Sequence, residues 1–201
     1  ALPIFTNKQE VRTVMKQPQS FTNQLLVAMP HMVDPNFHQT VTLLCQHDQK
    51  GALGIIINRP ANIKAQDIFQ QMDITLTQDF SNNIPVYAGG PVQPDRGFVL
   101  HTPSADWDSS LIISDYVALT TSRDILEAIA LNEGPKKALI ALGYSGWGEN
   151  QLEQEMIANT WLNTPSNQAL LFDTPINQRW QKAAEQIGVD ISLLTSTAGH
   201  G

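Results

Sequence analysis

The sequence predicts a mixed α/β fold of the α+β kind, in one domain. Short apolar runs of strand length recur between glycine, proline and aspartate turns through the first 120 residues. After that point, segments with helical spacing of apolar residues alternate with strand-length runs. Hydrophobic residues make up 42% of the 201 residues, and no repeat or low-complexity linker divides the chain.

The elements of the first part follow from buried apolar runs. Residues 24–29 form a run closed by Pro30, and 40–46 are rich in leucine and β-branched residues. Residues 52–58 contain three consecutive isoleucines, typical of a strand buried on both faces. A short helix is predicted over 65–72. Four further strands are predicted between turn residues, over 84–88, 97–101, 109–114 and 116–120.

The second part alternates helix and strand. A helix over 122–131 begins at Thr121-Ser122-Arg123-Asp124, which has capping-box spacing, and ends before Gly134-Pro135. A strand over 138–142 then leads into a glycine-rich turn over 143–148. The remaining predictions are a helix over 149–160, a strand over 169–172, a helix from Asp173 or Thr174 to Gly188 with Trp180, Ala183, Ala184 and Ile187 inward, and an apolar run over 189–194.

The N-terminus differs in character from the rest. Residues 1–14 show no clear period, so we interpret them as an extension upstream of a natural start at Met15. We therefore predict an N-terminal extension over 1–20 and one domain over 21–201.

Composition excludes several classes of function. Twelve Lys and Arg against nineteen Asp and Glu give a net charge of −7, which repels a phosphate backbone, and no basic patch is visible. Nucleic acid is therefore not an expected partner. No apolar stretch approaches the ~20 residues of a membrane span. The only cysteine, Cys45, excludes an intrachain disulfide and a thiolate zinc cage.

The segment Gly143-Tyr144-Ser145-Gly146-Trp147-Gly148 invites comparison with a nucleophile elbow. That motif needs glycine two residues either side of the serine, and Trp147 occupies the second position. We favour a structural glycine turn that seats Trp147. The alternative is a hydrolase that uses Ser145 or a His–Asp pair, with His47, His101 or His200 as the base.

Two arginines suggest an anion site. Arg123 stands at a predicted helix start, where free backbone N–H groups favour anions, and Arg96 follows the Gly89-Gly90 turn. They would share a ligand if the fold brings them together; otherwise Arg123 pairs with a neighbouring acid. The candidate ligand-binding residues are Arg96, His101, Arg123, Asp124 and Tyr144.

The sequence gives less support for a metal site or a catalytic pair of carboxylates than for an anion site. Cys45 and His47 would share one face of a strand, but no motif supplies a third or fourth ligand, and we predict no metal and no cofactor. Glu153 and Glu155 are two apart on a helix and do not face each other, so we interpret them as solvated surface. The four tryptophans lack interleaved basic residues and are expected in the core or an interface.

From about residue 21 to residue 200, the chain resembles the bacterial YqgE/AlgH family. The resemblance rests on ordered blocks: 23–30, 47–54 with Asn58-Arg59-Pro60, 89–92 with 96–101, 121–124, 141–144 with Gly146-Trp147, 151–153, and 171–173 followed by Arg179-Trp180. It implies a cytoplasmic protein with a mixed, barrel-like β-sheet and flanking helices, in a family without an established biochemical activity. In related sequences alanine often stands at the position of Ser145, which weakens the nucleophile alternative.

The resemblance also implies a proposed role in transcriptional regulation of alginate synthesis. The acidic chain and the lack of a helix-turn-helix signature argue against direct DNA binding. We therefore predict a non-enzymatic binding or regulatory module for a small anionic ligand or a protein partner. The sequence leaves open whether any reaction is catalysed, and the oligomeric state.

Overall fold

The computed structural model describes residues 19–81 and 83–196, with the side chains of 195 and 196 outside that description. The predicted start at Met15 and most of the predicted extension therefore lie outside the described residues. The strands are β1 Gln24–Ala28, β2 Val41–Asp48, β3 Gly51–Ile56, β4 Val86–Ala88, β5 Val92–His101, β6 Ser110–Ser114, β7 Val117–Thr120, β8 Ala138–Trp147 and β9 Trp161–Pro165. The helices are α1 Ala65–Gln71, α2 Arg123–Ala130, α3 Gln151–Ile157, α4 Arg179–Glu185 and α5 Ile191–Ser196, with a π-helical turn over Ala169–Asp173 and a 3-10 turn over Ile176–Gln178.

Strand β8 joins the two halves of a curled, largely antiparallel sheet. The strand order is β6-β7-β5-β8-β3-β2-β1-β9, and β4 adds to β8 in parallel. The first part of β8 pairs with β5, and its last three residues pair with β3. The sheet forms a half-barrel with flanking helices, which confirms the predicted mixed α/β class with a barrel-like sheet.

Alternate residues of the central strands sort into two apolar clusters. In β8, Leu139 packs with α4 and the π-helical turn, whereas Ile140 packs with α1 and α2. Leu100 and Val99 of β5 divide in the same way, because successive side chains of a strand point to opposite faces. Helices therefore cover both faces. A third cluster places Trp147 and Trp161 under α3.

The glycine-rich turn predicted over 143–148 is wrong, because β8 continues to Trp147. The glycines instead permit close backbone contact. A Cβ on Gly143, whose φ is +76°, would lie 2.5 Å from the carbonyl oxygen of Gly90. A Cβ on Gly90 would lie 2.1 Å from the carbonyl carbon of Tyr144. The Gly89-Gly90 segment thus crosses β8 at a distance that no other residue allows.

The strand predicted over 169–172 is also wrong. These residues form the π-helical turn, because two leucines and a phenylalanine pack against the core from one helical turn rather than from an extended segment. The sequence missed β9, which begins with the buried Trp161 and pairs with β1. The other predicted strands and helices up to residue 188 are present, with ends shifted by a few residues.

Candidate functional site

A groove between β5, α1 and α2 contains two of the predicted site residues. It is a cavity of about 520 Å³ whose wall includes both Arg96 and Arg123. Arg96 lies on β5, and Arg123 is the first residue of α2. The two arginines are far apart in sequence, and both line the same cavity, Arg123 from α2 and Arg96 from the part of β5 where it lies over Phe98.

The floor of this groove is apolar. Its buried residues come from four elements: Ile68 of α1, Val99 of β5, Leu126 of α2 and Ile140 of β8. Each is less than a tenth exposed. A cavity with an apolar floor and a few polar groups at its edge is the usual form of a small-molecule site.

Arg96 lies over the Phe98 ring at the wall of the groove. Its Cζ is 5.1 Å from the centre of the Phe98 ring, which is a cation–π contact. Nη1 lies 3.5 Å from Oε1 of Gln93, and the side chain is exposed. Asp95 also lines the groove and contributes one negative charge to its wall. Arg96 is thus oriented by the ring and remains accessible to a ligand.

Arg123 is held between two helices. Nε donates to Oε1 of Glu127 at 2.7 Å, and Nη1 donates to the carbonyl oxygen of Met72 at 2.7 Å. The predicted pairing of Arg123 with a neighbouring acid is therefore present. The bond to Met72, just after α1, also fixes the guanidinium at the edge of the groove. The side chain remains about half exposed, at 48%.

Asp124 supports the start of α2 and is not among the groove-lining residues. Oδ1 accepts from the Ser122 hydroxyl and the backbone N–H of Ile125, and Oδ2 accepts from the backbone N–H of Asp108. Desolvation would raise the pKa of this carboxyl, but these hydrogen bonds outweigh it and lower the pKa. Its geometry is that of a positioning group for the loop before β6.

His101 lies in the interior at 1% exposure, and it does not line the groove itself but is hydrogen-bonded to Thr120, which does. Nδ1 is 3.0 Å from the carbonyl oxygen of Thr102, so it carries the proton, and Nε2 accepts from the Thr120 hydroxyl at 2.7 Å. The Ser110 hydroxyl then donates to Thr120. Burial lowers the pKa of His101, while the bond to Thr102 opposes the change. The ring completes a hydrogen-bonded chain across β5, β7 and β6.

Tyr144 is half-buried and reaches the groove only through Phe98. The two rings meet edge to face, with centroids 5.7 Å apart. Of the five predicted ligand-binding residues, Arg96 and Arg123 line one cavity, whereas Asp124, Tyr144 and His101 are not among its lining residues.

Ser145 has no geometry typical of a nucleophile. The side chain is 0% exposed, and its hydroxyl donates to the carbonyl oxygen of Gly89 at 3.4 Å. Within the described ranges, no histidine is hydrogen-bonded to it. The hydroxyl belongs to the crossing of the Gly89-Gly90 segment over β8.

Cys45 and His47 take separate structural roles. Burial raises the pKa of the Cys45 thiol, which packs in the apolar cluster under α4. His47 accepts the backbone N–H of Phe21 at Nδ1, so Nε2 carries the proton and donates to Oε1 of Glu153 at 2.6 Å. No group of three or more metal-binding side chains occurs in the part of the chain that the structure describes.

The prediction that Glu153 and Glu155 are solvated surface is wrong. Glu153 binds His47 as above, and Oε2 of Glu155 accepts the indole N–H groups of both Trp147 and Trp161. Partners from β2, β8 and β9 converge on α3, and sequence spacing along one helix carries no information about such contacts. The tryptophan prediction is confirmed for Trp147 and Trp161, which are buried.

The sequence also missed Arg179 as a buried charge. Only 3% of this residue is exposed, and it lines a second cavity. The sequence did indicate burial of this side chain, because Arg179 lies four residues before the buried Ala183 on the inward face of α4.

None of the helices within residues 19–81 and 83–196 combines the length and apolar character needed to cross a membrane.

Comparison with known proteins gives consistent results. The family model DUF179, described as AlgH-like, matches residues 25–192. A UPF0301 protein of Methylococcus capsulatus is 55% identical over 185 residues, covering 92% of this chain and 98% of the relative. The solution structure of the AlgH protein from Pseudomonas aeruginosa is similar, with a TM-score of 0.74, 46% identity, and coverage of 92% of this chain and 98% of that one. A crystal structure of a protein from Corynebacterium diphtheriae shares the fold, with a TM-score of 0.71 and 16% identity over 90% of this chain and 94% of that one.

Proposed function

This chain belongs to the AlgH-like family, and we propose that it is a non-catalytic binding module for a small amphipathic anion. The observation that carries this proposal is the presence of Arg96 and Arg123 on the wall of one cavity with an apolar floor. An apolar body would contact the floor, and a carboxylate or phosphate at its end would bind a guanidinium group at the wall.

The charge arrangement favours a ligand with a single anionic group. Glu127 already occupies Nε of Arg123, and Asp95 contributes a negative charge to the wall, so the groove offers little net positive charge. Affinity must then come from apolar burial on the floor, with the guanidinium groups selecting the end of the ligand.

A regulatory role follows as part of the same proposal. Arg123 connects α2 with the residue after α1, so a ligand that binds this guanidinium contacts both helices of that face. We propose that the protein acts in the bacterial cytoplasm. There, ligand binding in the groove would alter the surface of α1 and α2 that a protein partner contacts. Direct DNA binding is not part of the proposal because the chain carries a net charge of −7.

Catalysis by Ser145 receives less support. A hydrolase needs its nucleophile within reach of substrate, and this hydroxyl is 0% exposed and donates to Gly89. The binding hypothesis needs no movement of β8.

Isothermal titration calorimetry with octanoate and octyl phosphate tests the proposal, with octanol and inorganic phosphate as half-ligands. We expect saturable binding of the two amphipathic anions, weakened in Arg96→Gln by about 1–2 kcal/mol, as for a hydrogen bond to a charged group. The same ligand at 100 times its dissociation constant should stabilise the fold by about 2.7 kcal/mol.

The matched control is Lys182→Gln, which removes one positive charge from α4, where Lys182 pairs with Glu185 at 3.4 Å. It should leave binding unchanged. Equal affinity for octanol and octanoate, or equal affinity of Arg96→Gln and the parent chain, would refute the role of the arginines.

A further inference from the structure

A second cavity of about 410 Å³ lies on another part of the molecule. Its wall comes from the segment before β4, the connection from α2 to β8, the π-helical turn, and Arg179 of α4. It shares no lining residue with the groove of Arg96 and Arg123.

Arg179 is a buried cation with its orientation fixed. Nε donates to the carbonyl oxygen of Thr174 at 2.9 Å, and Nη1 donates to that of Ile57 at 2.6 Å. The guanidinium carbon lies 5.4 Å from the centre of the Tyr87 ring. Two backbone acceptors and one ring therefore hold the group before any ligand arrives, which lowers the entropy lost on binding.

The charge of Arg179 has no carboxylate partner. Among residues 19–81 and 83–196, no Asp or Glu oxygen lies within ion-pair distance of it. Asp173, whose charge favours the protonated arginine, is itself bound by Lys137 at 2.6 and 2.8 Å. A buried charge without a carboxylate at ion-pair distance is costly, and an anion in the adjoining cavity would lower that cost.

The backbone at this cavity is also unusual. In the π-helical turn, the N–H of Thr174 donates to the carbonyl oxygen of Ala169 at 2.7 Å, and Leu171 and Phe172 line the cavity. Single π-helical turns are rare and frequently occur at functional sites. The carbonyl of Thr174 is one acceptor of Arg179, so the same turn shapes the wall and fixes the cation.

Two lysines add positive charge at the wall. Lys136 and Lys137 both line the cavity. Lys136 is exposed and, in the described part of the chain, has no carboxylate within ion-pair distance. Three cations at one cavity contrast with the net charge of −7 of the whole chain.

We propose that this cavity binds a compact oxyanion, the phosphate or carboxylate group of a small molecule, with Arg179 as its fixed donor. Lys136 supplies long-range attraction at the entrance, and Lys137 remains bound to Asp173. The site is independent of the amphipathic ligand proposed for the groove, because its cations and its apolar wall are different.

The test is an NMR titration of the intact chain with inorganic phosphate and, separately, with succinate, following the side-chain Nε–H signal of Arg179. We expect that signal to shift and saturate with at least one of the two anions below about 10 mM, ten times a millimolar dissociation constant. A saturable shift with only one of the two anions would support the proposal and show whether the ligand's anionic group is a phosphate or a carboxylate.

Lys136→Gln, a surface change that leaves the fold intact, should weaken binding about threefold, the effect of one exposed charge. Arg179→Lys keeps the charge but loses the planar fork, and should weaken it more than tenfold. Lys182→Gln should have no effect. Arg96→Gln should also have none, which separates this proposal from that for the groove.

The proposal is overturned if neither anion shifts the Arg179 signal in the parent chain. It is also overturned if Lys136→Gln and Lys182→Gln bind the anion equally well. Since Lys136→Gln needs no change in the interior, the test stands even if Arg179→Lys fails to fold.

Discussion

Glu155 makes a clear prediction, because one carboxylate oxygen accepts two buried indole N–H groups. Oε2 lies 2.6 Å from Nε1 of Trp147 and 3.2 Å from Nε1 of Trp161, and both tryptophans are buried. The rings stand nearly perpendicular, with centroids 6.2 Å apart. The substitution Glu155→Ala removes the shared acceptor and leaves two donors unpaired in the cluster under α3.

The cost follows from those two donors. A buried donor left without an acceptor costs about 1–3 kcal/mol, so the free energy of unfolding should fall by about 2–4 kcal/mol, since Glu155 is only half-buried. Glu155→Gln keeps one acceptor oxygen without its charge and should cost about 1 kcal/mol. For a chain of this size, the melting temperature should fall by about 2–4 °C for each kcal/mol.

Urea denaturation followed by far-ultraviolet circular dichroism measures these losses without relying on tryptophan emission. The control is Gln154→Ala, an exposed position on the same helix, which should stay within about 0.5 kcal/mol of the parent. If Glu155→Ala loses no more stability than this control, the two indole bonds do not stabilise the fold and the reasoning fails.

Three further predictions concern β8 and the interior. Gly143→Ala should lower the free energy of unfolding, measured by urea denaturation, by about 2 kcal/mol or more, because φ is +76° and the new Cβ would meet the Gly90 carbonyl oxygen. In the control Gly146→Ala, the new Cβ meets nothing closer than 3.5 Å, so the loss should be about 1 kcal/mol or less. Equal losses in the two variants would contradict the close crossing of Gly90 over β8. Burial lowers the pKa of His101, so the unfolded chain binds a proton that the folded chain excludes. The free energy of unfolding should therefore fall as the pH falls from about 6.5 toward the pKa of the folded state, by at most about 1.4 kcal/mol per pH unit. Urea midpoints measured at several pH values should show a smaller fall in His101→Gln. Ser145→Ala should change the free energy of unfolding by about 1 kcal/mol or less and leave any hydrolysis of a panel of esters unchanged, because the hydroxyl is 0% exposed; loss of such an activity would restore the nucleophile hypothesis.

Most strands could be predicted from the sequence because burial leaves a local signal. The consecutive isoleucines at the end of β3 and the apolar run at the end of β5 are visible without a structure. The extent of β8 was not, since glycines needed for backbone contact between distant segments look like those of a turn. A short apolar run such as 169–172 is equally compatible with a strand and with a single helical turn, and only its packing against the rest of the fold determines which one forms.

The site divides in the same way. Arg96 and Arg123 could be predicted as ligand candidates because both stand beside turns or helix starts, but their shared groove depends on long-range pairing. The tryptophan partners of Glu155 lie on the strands just before and just after α3, and Ile57, one partner of Arg179, lies on a distant segment. Helical spacing therefore indicates neither set of contacts.

The central position of β8 has a consequence for how the chain folds as it is synthesised. β3 and β5 leave the ribosome long before β8. Each has one neighbour by the time β8 is made, β2 for β3 and β7 for β5, but the edge that faces β8 stays open until β8 arrives. Until then, the nascent chain carries two incomplete sheets with open edges, which are prone to pair with other chains. β1 waits longer still, because its outer partner is β9. The native sheet is therefore completed late in synthesis, and a chain that stops before residue 138 lacks the strand that joins its halves.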